Sequence, residues 1–168
     1  MRDKPVADFL GRQQHIATEH CGVLNPSDMD EYRRLGGFKA LEAVLSADDP
    51  EELIETIKKS GLRGRGGGGF PTGVKWGIVR KAPSEKKYLV VNGDEGDPGA
   101  FMDRMLLESY PSRVIEGVII ASFAVGANEG VLYVRAEYPL AVKRIKAALV
   151  AFEAAGVLGE NMMSSDHS

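Results

Sequence analysis

Cysteine is nearly absent from this sequence, with Cys21 as the single example in 168 residues. One thiol excludes an internal disulfide framework, and an iron–sulfur cluster needs several cysteine ligands that this chain alone does not supply. His15 and His20 stand five residues apart, wider than the i, i+4 spacing of a helical zinc pair. We interpret Cys21 as a buried or inert thiol and expect no metal site.

Long hydrophobic runs are also absent. The longest apolar stretch, residues 118–127, contains Ser122 and Gly126 and is much shorter than the roughly 20 residues that cross a bilayer. Residues 1–15 mix both signs of charge and contain no apolar segment typical of a secretory signal. The sequence therefore predicts a cytoplasmic protein that is not inserted directly in a membrane.

An excess of basic residues is missing as well: 21 Lys and Arg stand against 24 Asp and Glu, for a net charge of −3. With 43% hydrophobic and 27% charged residues, the composition is that of an ordinary globular domain. A mildly acidic chain lacks the positive field that holds nucleic acid non-specifically. The segment 63–67, RGRGG, resembles one RGG-type RNA-binding unit. Such units repeat many times in basic, disordered surroundings, so we expect no nucleic-acid partner.

Glycine, in contrast, is abundant and clustered. Of the 20 glycines, seven lie within residues 61–73 and three more within 93–99. Such clusters mark backbone that turns tightly or approaches something closely. Gly64, Gly66 and Gly69 match the G-x-G-x-x-G spacing. The segment before them is predicted to be helical, however, whereas a Rossmann phosphate turn follows a strand.

Residues 61–76, GLRGRGGGGFPTGVKW, allow two interpretations. Backbone without β-carbons can lie flat against a planar or phosphate-bearing ligand, and Arg65 and Lys75 supply positive charge nearby. Alternatively, the segment is a flexible linker or a packing loop. The flanking Phe70, Trp76 and Lys75 make a simple linker the weaker interpretation.

The clearest predicted helix lies between Asp49 and Gly61. Asp49 suits the N-cap, Pro50 the first helical position, and Gly61 the end of the helix. Shorter helices are predicted before it, so residues 1–60 are expected to form an N-terminal helical segment. At the other end of the chain, residues 158–168 are expected to form a frayed tail.

After the glycine cluster, the pattern alternates between strands and helices. Short apolar runs at 88–91 and 130–135 predict strands that are buried on both faces. Helices are predicted at 101–109 and 113–127 between these strands, and another follows the second strand. A strand–helix–strand order implies a parallel βαβ unit, so residues 61–157 are predicted to fold as part of an α/β domain.

The loop that leaves the first predicted strand, residues 92–99 (NGDEGDPG), is rich in carboxylates. In open parallel sheets, ligands bind beyond the carboxyl ends of the strands, where this loop begins. Its carboxylates and that of Asp103 could bind a metal, act as acid or base, or accept hydrogen bonds from ribose hydroxyls. A solvated acidic turn is the alternative. Asn92 can pair with the edge of a heterocycle or form an Asx turn.

Two segments carry a resemblance to a known family: GLRGRGGGGFPTGVKW and YLVVNGDEGDPGAFMDRMLLESYPSRVIEGVIIASFAVGANEGVLYVRAEYP. The sequence resembles the flavin-carrying, NADH-binding 51 kDa subunit of respiratory NADH:quinone oxidoreductase. Relatives of that subunit also occur in NAD(P)-reducing hydrogenases and NAD-dependent formate dehydrogenases. The resemblance extends from about Phe9 to Val157. Gly68, where respiratory enzymes commonly have alanine, and the GDEGDPG segment are more similar to the hydrogenase and formate dehydrogenase branch.

The resemblance implies a non-covalent FMN in an α/β pocket, with the nicotinamide of NADH stacked on the flavin. In the first segment it implies that Gly64, Gly66 and Lys75 contact FMN, with Lys75 near the phosphate. It places Gly66, Gly67 and Phe70 on the NADH side, with Phe70 close to the adenine. Arg65 completes this group of cofactor-binding residues as a nearby positive charge.

In the second segment, the resemblance implies that Asn92, Asp94 and Glu95 contact the flavin or its ribityl chain. Asp97 stands where many relatives have glutamate. It is therefore assigned to the ribose or carboxamide of NADH, with a shorter reach.

The resemblance also implies a function. The family passes a hydride from NAD(P)H to FMN and electrons onward to iron–sulfur centres of a larger redox complex, so no catalytic side chain is expected. The implied partners are NADH and the iron–sulfur subunits of that complex, which can lie peripheral to the inner membrane.

The family pattern is longer than this sequence. Relatives continue with the rest of the flavin domain and with a four-cysteine domain that holds a [4Fe–4S] cluster. The sequence is therefore predicted to be an N-terminal fragment that is inactive alone, with its FMN- and NADH-binding domain incomplete at the C-terminus. The alternative is a catalytically silent domain that serves only for partner binding or assembly.

Overall fold

A computed structural model describes residues 4–20 and 22–168, so the prediction for Cys21 lies outside the described residues. No helix within these two ranges combines the length and the apolar character that a membrane crossing requires. In chain order, the elements are α1 (Lys4–Leu10), α2 (Met29–Arg34), α3 (Lys39–Ala47), α4 (Pro50–Ser60), α5 (Thr72–Lys81), β1 (Tyr88–Gly93), α6 (Met102–Ser109), α7 (Pro111–Val125), β2 (Glu129–Val134), α8 (Pro139–Ala154) and a 3₁₀-helix (Met162–Ser164).

Helix α4 begins and ends at the residues that the sequence indicates. The Asp49 carboxylate accepts hydrogen bonds from the N–H groups of Glu51 and Glu52, at 3.0 and 2.9 Å. Pro50 occupies the first turn, where its missing N–H costs no hydrogen bond. Gly61 ends the helix with a left-handed φ of 71°. The predicted helix is confirmed.

The two strands pair in parallel, with Tyr88 opposite Glu129 and Gly93 opposite Val134. Helices α6 and α7 connect β1 to β2, which gives the predicted βαβ unit. Because the strands are parallel and in register, the loop after β1 and the loop after β2 leave the sheet at the same edge. This edge is where the acidic loop begins.

The prediction that both strands are buried on both faces is wrong. Val90, Val131 and Tyr133 share one face of the sheet and are 63%, 51% and 58% exposed. On the opposite face, Leu132 and Val134 pack against the cluster formed by α6 and α8. In the described chain only this second face is covered, because α6, α7 and α8 all lie on one side. A continuous apolar run does not by itself indicate whether one face or both faces of a strand are covered.

The main core joins the N-terminal helices to α7 and α8. Phe38, immediately before α3, is fully buried, and its ring meets the rings of Tyr32 and Phe152 edge-on, at centroid distances of 5.1 and 5.0 Å. Leu41 is also fully buried in this cluster. Helices α2 and α3, within the helical segment predicted at residues 1–60, therefore share their core with the α/β part of the chain.

The carboxylate of Glu116 is buried in this core, with the residue only 7% exposed. It accepts hydrogen bonds from the Tyr32 hydroxyl, from the Phe38 N–H at 3.0 Å and from the Leu41 N–H at 3.3 Å. The two N–H groups belong to the start of α3, so Glu116 on α7 caps that helix from across the core. Burial, together with the hydrogen bond and charge of Glu116, raises the pKa of the Tyr32 hydroxyl well above its usual value.

Part of the C-terminal segment that is predicted as a frayed tail, residues 158–168, packs against the core. Met162 is 6% exposed and belongs to the main core cluster. The His167 Nε2 atom lies 2.8 Å from the Asp48 carboxylate, and the imidazole meets the Phe123 ring edge-on at 5.0 Å. These partners lie far away in sequence, which is why the composition of the tail does not indicate its packing.

Candidate functional site

The glycine loop, defined here as residues 61–72, is a closed hairpin between α4 and α5. The Gly64 N–H donates to the Phe70 carbonyl and the Thr72 N–H to the Leu62 carbonyl, both at 2.9 Å. These two hydrogen bonds draw the ends of the loop together. The geometry favours a formed loop over the flexible linker that the composition also allowed.

Arg63 braces this hairpin from one side. Its Nε atom donates to the Gly69 carbonyl at 2.5 Å, and its backbone pairs with Pro71 as an isolated antiparallel bridge. Beside the braced loop lies a cavity of about 520 Å³. Its lining consists of loop residues and the end of α4, namely Ser60, Gly61, Leu62, Arg63, Gly64, Arg65 and Gly69.

The tip of the glycine loop is uncovered backbone. A β-carbon added at Gly66, Gly67 or Gly68 would meet no atom within 4 Å. Gly67 has a φ of 94°, which disfavours any residue with a β-carbon. The peptide groups at the tip are therefore not covered by side chains.

Two cations lie within or shortly after the glycine loop in the sequence. Arg65 lies in the loop and Lys75 in the first turns of α5, and both are exposed. Within the described chain neither forms an ion pair or a side-chain hydrogen bond, whereas Arg80 further along α5 pairs with Glu51 at 2.8 Å. The N-terminal end of α5 carries the positive end of the helix dipole. The glycine loop and this helix end together form a region suited to a negatively charged group.

Helix α5 packs closely on α4 through Gly73. A β-carbon at Gly73 would lie 2.6 Å from the Lys58 backbone nitrogen and 3.0 Å from the Ile54 carbonyl oxygen. At Gly77, one turn later, the added atom would lie 3.7 Å from an Ile54 methyl group, an ordinary contact distance. The absence of a side chain at Gly73 thus permits the close approach of the two helices that hold the ends of the loop.

The acidic loop, defined here as residues 92–99, begins with an Asx turn. The Asn92 side-chain oxygen accepts a hydrogen bond from the Asp94 N–H at 2.8 Å. Asn92, Asp94 and Asp97 are all exposed. Of the two roles that the sequence left open for Asn92, the structure shows the turn.

Glu95 turns inward and caps helix α6. Its two carboxylate oxygens accept hydrogen bonds from the N–H groups of Asp103 and Arg104, each at 3.1 Å. Burial raises the pKa of the Glu95 carboxyl, but the backbone N–H groups at the start of α6 and the Tyr138 hydroxyl outweigh burial, so the pKa lies below its usual value. Burial and the Glu95 charge raise the pKa of Asp103.

Arg135, immediately after β2, holds the same loop from the other strand. Its Nη1 atom donates to the Glu95 carbonyl at 2.6 Å, and its Nε atom lies 3.7 Å from the Asp94 carboxylate. The Tyr138 hydroxyl donates to the Glu95 carbonyl as well, at 3.1 Å. Arg135 and Tyr138 are not among the site residues that the sequence predicts. Their signal was present, since both closely follow a strand at its carboxyl end.

The predicted site residues therefore fall into two groups. Six lie in or beside the glycine loop and four in the acidic loop. Within the part of the chain that the structure describes, no hydrogen bond or ion pair joins residues 61–75 to residues 92–97. The described residues also contain no group of three or more His, Cys, Asp or Glu side chains that could hold a metal ion.

The chain is similar to subunits of hydrogenases and of NADH-quinone oxidoreductases. The NADP-reducing hydrogenase subunit HndC of Solidesulfovibrio fructosivorans is 49% identical over 154 residues, which is 92% of this chain and 31% of that protein. An NADH-quinone oxidoreductase subunit of Aquifex aeolicus is 45% identical over 82% of this chain and 32% of its own length. The NADH-quinone oxidoreductase subunit of the same name in Escherichia coli is 38% identical over 83% and 32%. The chain spans about a third of the length of these relatives.

A solved structure and a family match agree with these relatives. The NAD⁺-reducing [NiFe]-hydrogenase in its H₂-reduced state superposes with a TM-score of 0.66 at 32% identity, over 90% of this chain and 28% of that chain. The predicted α/β fold is confirmed. Residues 57–164 match the family described as the Nuo51 FMN-binding domain, a range that contains both the glycine loop and the acidic loop. Because this match covers well over half of the chain, the protein belongs to the Nuo51 FMN-binding domain family.

Proposed function

We propose that this chain supplies binding residues for FMN and a nicotinamide nucleotide in an NADH-oxidising oxidoreductase. The observation that carries the proposal is the closed glycine loop with its uncovered tip. A β-carbon added at Gly66 or Gly67 would have no neighbouring atom within 4 Å. The family match includes this loop. A closed loop with an uncovered tip leaves room for a ligand, which supports the proposal.

The residues present fit a planar, phosphorylated cofactor. The tip suits a ring system, since no β-carbon at Gly66, Gly67 or Gly68 would hold the ring away from the peptide groups. Lys75 and the N-terminal end of α5 suit a phosphate, because Lys75 adds a positive charge to the first turn of a helix whose dipole is positive at that end. Gly64, Gly66 and Lys75 would hold FMN, with the Lys75 ammonium group on the phosphate.

The exposed side chains around the tip suit the nicotinamide nucleotide. Phe70 is 51% exposed, and an aromatic ring at the loop edge offers a stacking surface for a base. Gly67 allows the nucleotide to approach the backbone, and Arg65 attracts its phosphates. Asp97, in the acidic loop, has the acceptor oxygens that ribose hydroxyls need.

Asn92 and Asp94 would contact the flavin or its ribityl chain from the carboxyl edge of the sheet. Glu95 differs from them, because both of its carboxylate oxygens already accept N–H groups of α6. We assign Glu95 to shaping the loop on which Asp94 lies.

Bound FMN would supply the hydride chemistry with the nicotinamide, and the residues of this chain would supply orientation and local charge. We propose further that the site works within a multi-subunit redox complex whose iron–sulfur subunits receive the electrons. Relatives named as hydrogenase and quinone oxidoreductase subunits support this assignment.

Titration of FMN with the purified chain, followed by quenching of flavin fluorescence, tests the proposal. We expect saturable quenching that added nucleic acid does not reduce. A chain that is folded by circular dichroism and leaves flavin fluorescence unchanged would contradict the proposal and would favour the alternative of a domain for partner binding.

Replacing Lys75 with alanine should weaken FMN binding by about tenfold to a hundredfold. A hydrogen bond to a charged group contributes on the order of 1.5–3 kcal/mol, and Lys75 lies in the first turn of α5. Fluorescence titration measures the change. Lys81→Ala, an exposed lysine at the C-terminal end of the same helix, is the matched control and should retain the affinity of the wild type. Equal affinities for both variants would remove Lys75 from the site.

Replacing Gly67 with valine should abolish measurable binding of the nicotinamide nucleotide at concentrations that saturate the wild type. The β-branched side chain would fill the space above the tip, and a φ of 94° disfavours it. Gly68→Ala is the control, because its β-carbon would meet nothing within 4 Å and its φ is not left-handed. A Gly67→Val protein that loses stability but binds nucleotide normally in its folded fraction would show that the loop serves packing.

A further inference from the structure

We propose that Arg135 is a positioning residue for this site. Its guanidinium holds residues 94–95 in the shape that presents Asp94 outward and turns Glu95 inward. The assignment rests on the proposed function, because it concerns how the acidic loop is held ready for the cofactor.

The Arg135 guanidinium contacts three acceptor groups at once. Its three nitrogens reach the Glu95 carbonyl at 2.6 Å, the Asp94 carboxylate at 3.7 Å and the Glu137 carboxylate at 3.0 Å. Asp94 and Glu95 follow β1, whereas Arg135 and Glu137 follow β2. One side chain therefore ties together the carboxyl ends of both strands, which is where ligands bind in open parallel sheets.

The second support is that Arg135 is itself fixed. Its side chain is 27% exposed and lies over the Tyr138 ring, 5.8 Å from the centroid. The Tyr138 hydroxyl donates to the same Glu95 carbonyl, so two donors converge on one oxygen. A carbonyl that accepts from a guanidinium and a phenol has little freedom to rotate.

The consequence for the site is a division of roles between neighbouring carboxylates. With the Glu95 carbonyl held by Arg135, the Glu95 side chain reaches the first N–H groups of α6, and Asp94 is left exposed at the sheet edge. The arrangement needs a planar, multiply donating group. A lysine ammonium at this position retains the charge but is a single point and cannot bridge the three acceptors.

The test compares Arg135→Lys and Arg135→Gln with a matched control, Arg113→Lys. Arg113, on α7, also donates to several acceptors, but these lie in the N-terminal region. They are the carbonyls of Ile16 and Ala17, at 3.3 and 3.2 Å, and the Glu19 carboxylate. Two quantities are measured on the full chain: amide hydrogen exchange of residues 93–105 without ligand, and FMN affinity by fluorescence titration.

We expect both Arg135 variants to exchange residues 93–105 about tenfold faster and to bind FMN about tenfold more weakly, while Arg113→Lys changes neither. Tyr138→Phe, which removes one of the two donors, should show a smaller change in the same direction. Unchanged exchange and affinity in Arg135→Lys would overturn the assignment, as would equal losses in Arg113→Lys, which would indicate general destabilisation. A wild-type chain that binds no FMN would instead overturn the proposed function, and the exchange data would still show whether Arg135 holds the loop.

Discussion

Replacing Glu116 with alanine is expected to lower the free energy of unfolding by on the order of 3–5 kcal/mol. The carboxylate accepts three hydrogen bonds inside the core, from the Tyr32 hydroxyl and from the Phe38 and Leu41 N–H groups. Its removal leaves all three donors buried without a partner and opens a void. Small domains are stable by only about 5–15 kcal/mol, so this loss is a large part of the total.

Urea denaturation followed by circular dichroism measures this change, and two further variants separate its causes. Glu116→Gln keeps one acceptor oxygen but replaces the other with an NH₂ group, which faces the N–H and O–H donors. It should therefore lose about half as much stability as Glu116→Ala. Tyr32→Phe removes the hydroxyl that donates to Glu116 and should lower the free energy of unfolding by about 1–2 kcal/mol. The Tyr32→Phe and Glu116→Gln effects should not add, because the two side chains are in direct contact.

Glu153→Ala provides the control, since Glu153 is an exposed glutamate on helix α8 and its replacement should change stability by less than about 0.5 kcal/mol. A Glu116→Ala protein as stable as Glu153→Ala would mean that the N-terminal helices are not tied to α7 through this carboxylate.

Local signals in the sequence predicted the elements that depend on local chemistry. Asp49, Pro50 and Gly61 delimit α4 because capping acts within one turn of the chain, and the order of strands and helices was enough to predict the parallel pair. The strand-end rule also identified the acidic loop. These features share one property: the residues that cause them are neighbours in sequence.

The features that were missed depend on partners far along the chain. Glu116 is a single acidic residue in the apolar pattern of α7, and the N–H groups that it caps are 75 and 78 residues away. The His167 imidazole contacts the Asp48 carboxylate, which is 119 residues away in the sequence. Glu95 resembled its acidic neighbours in the sequence, but Arg135 and the start of α6 distinguish it in the fold. Composition cannot indicate such pairings, because nothing local changes when they form.

The close contact of α5 with α4 leads to the second large effect, that of Gly73→Ala. The new β-carbon would lie 2.6 Å from the Lys58 nitrogen and 3.0 Å from the Ile54 carbonyl, both backbone atoms of α4 that cannot turn aside. The helices must therefore separate, at a cost of roughly 1–3 kcal/mol in the free energy of unfolding. Gly77→Ala, one turn along the same face, adds an ordinary contact and should be neutral or stabilising by up to about 1 kcal/mol, because alanine favours the helix.

Separation of these helices should reach the proposed site as well. Helix α4 ends where the glycine loop begins, and α5 starts where it ends, so a shift between them changes the spacing that the Gly64–Phe70 and Thr72–Leu62 hydrogen bonds require. We therefore expect Gly73→Ala to weaken FMN binding at least tenfold under conditions where the protein is fully folded, and Gly77→Ala to leave the affinity unchanged. If Gly73→Ala lowers stability but its folded form binds FMN as tightly as the wild type, the loop keeps its shape independently of the two helices. The glycine at 73 would then serve stability alone.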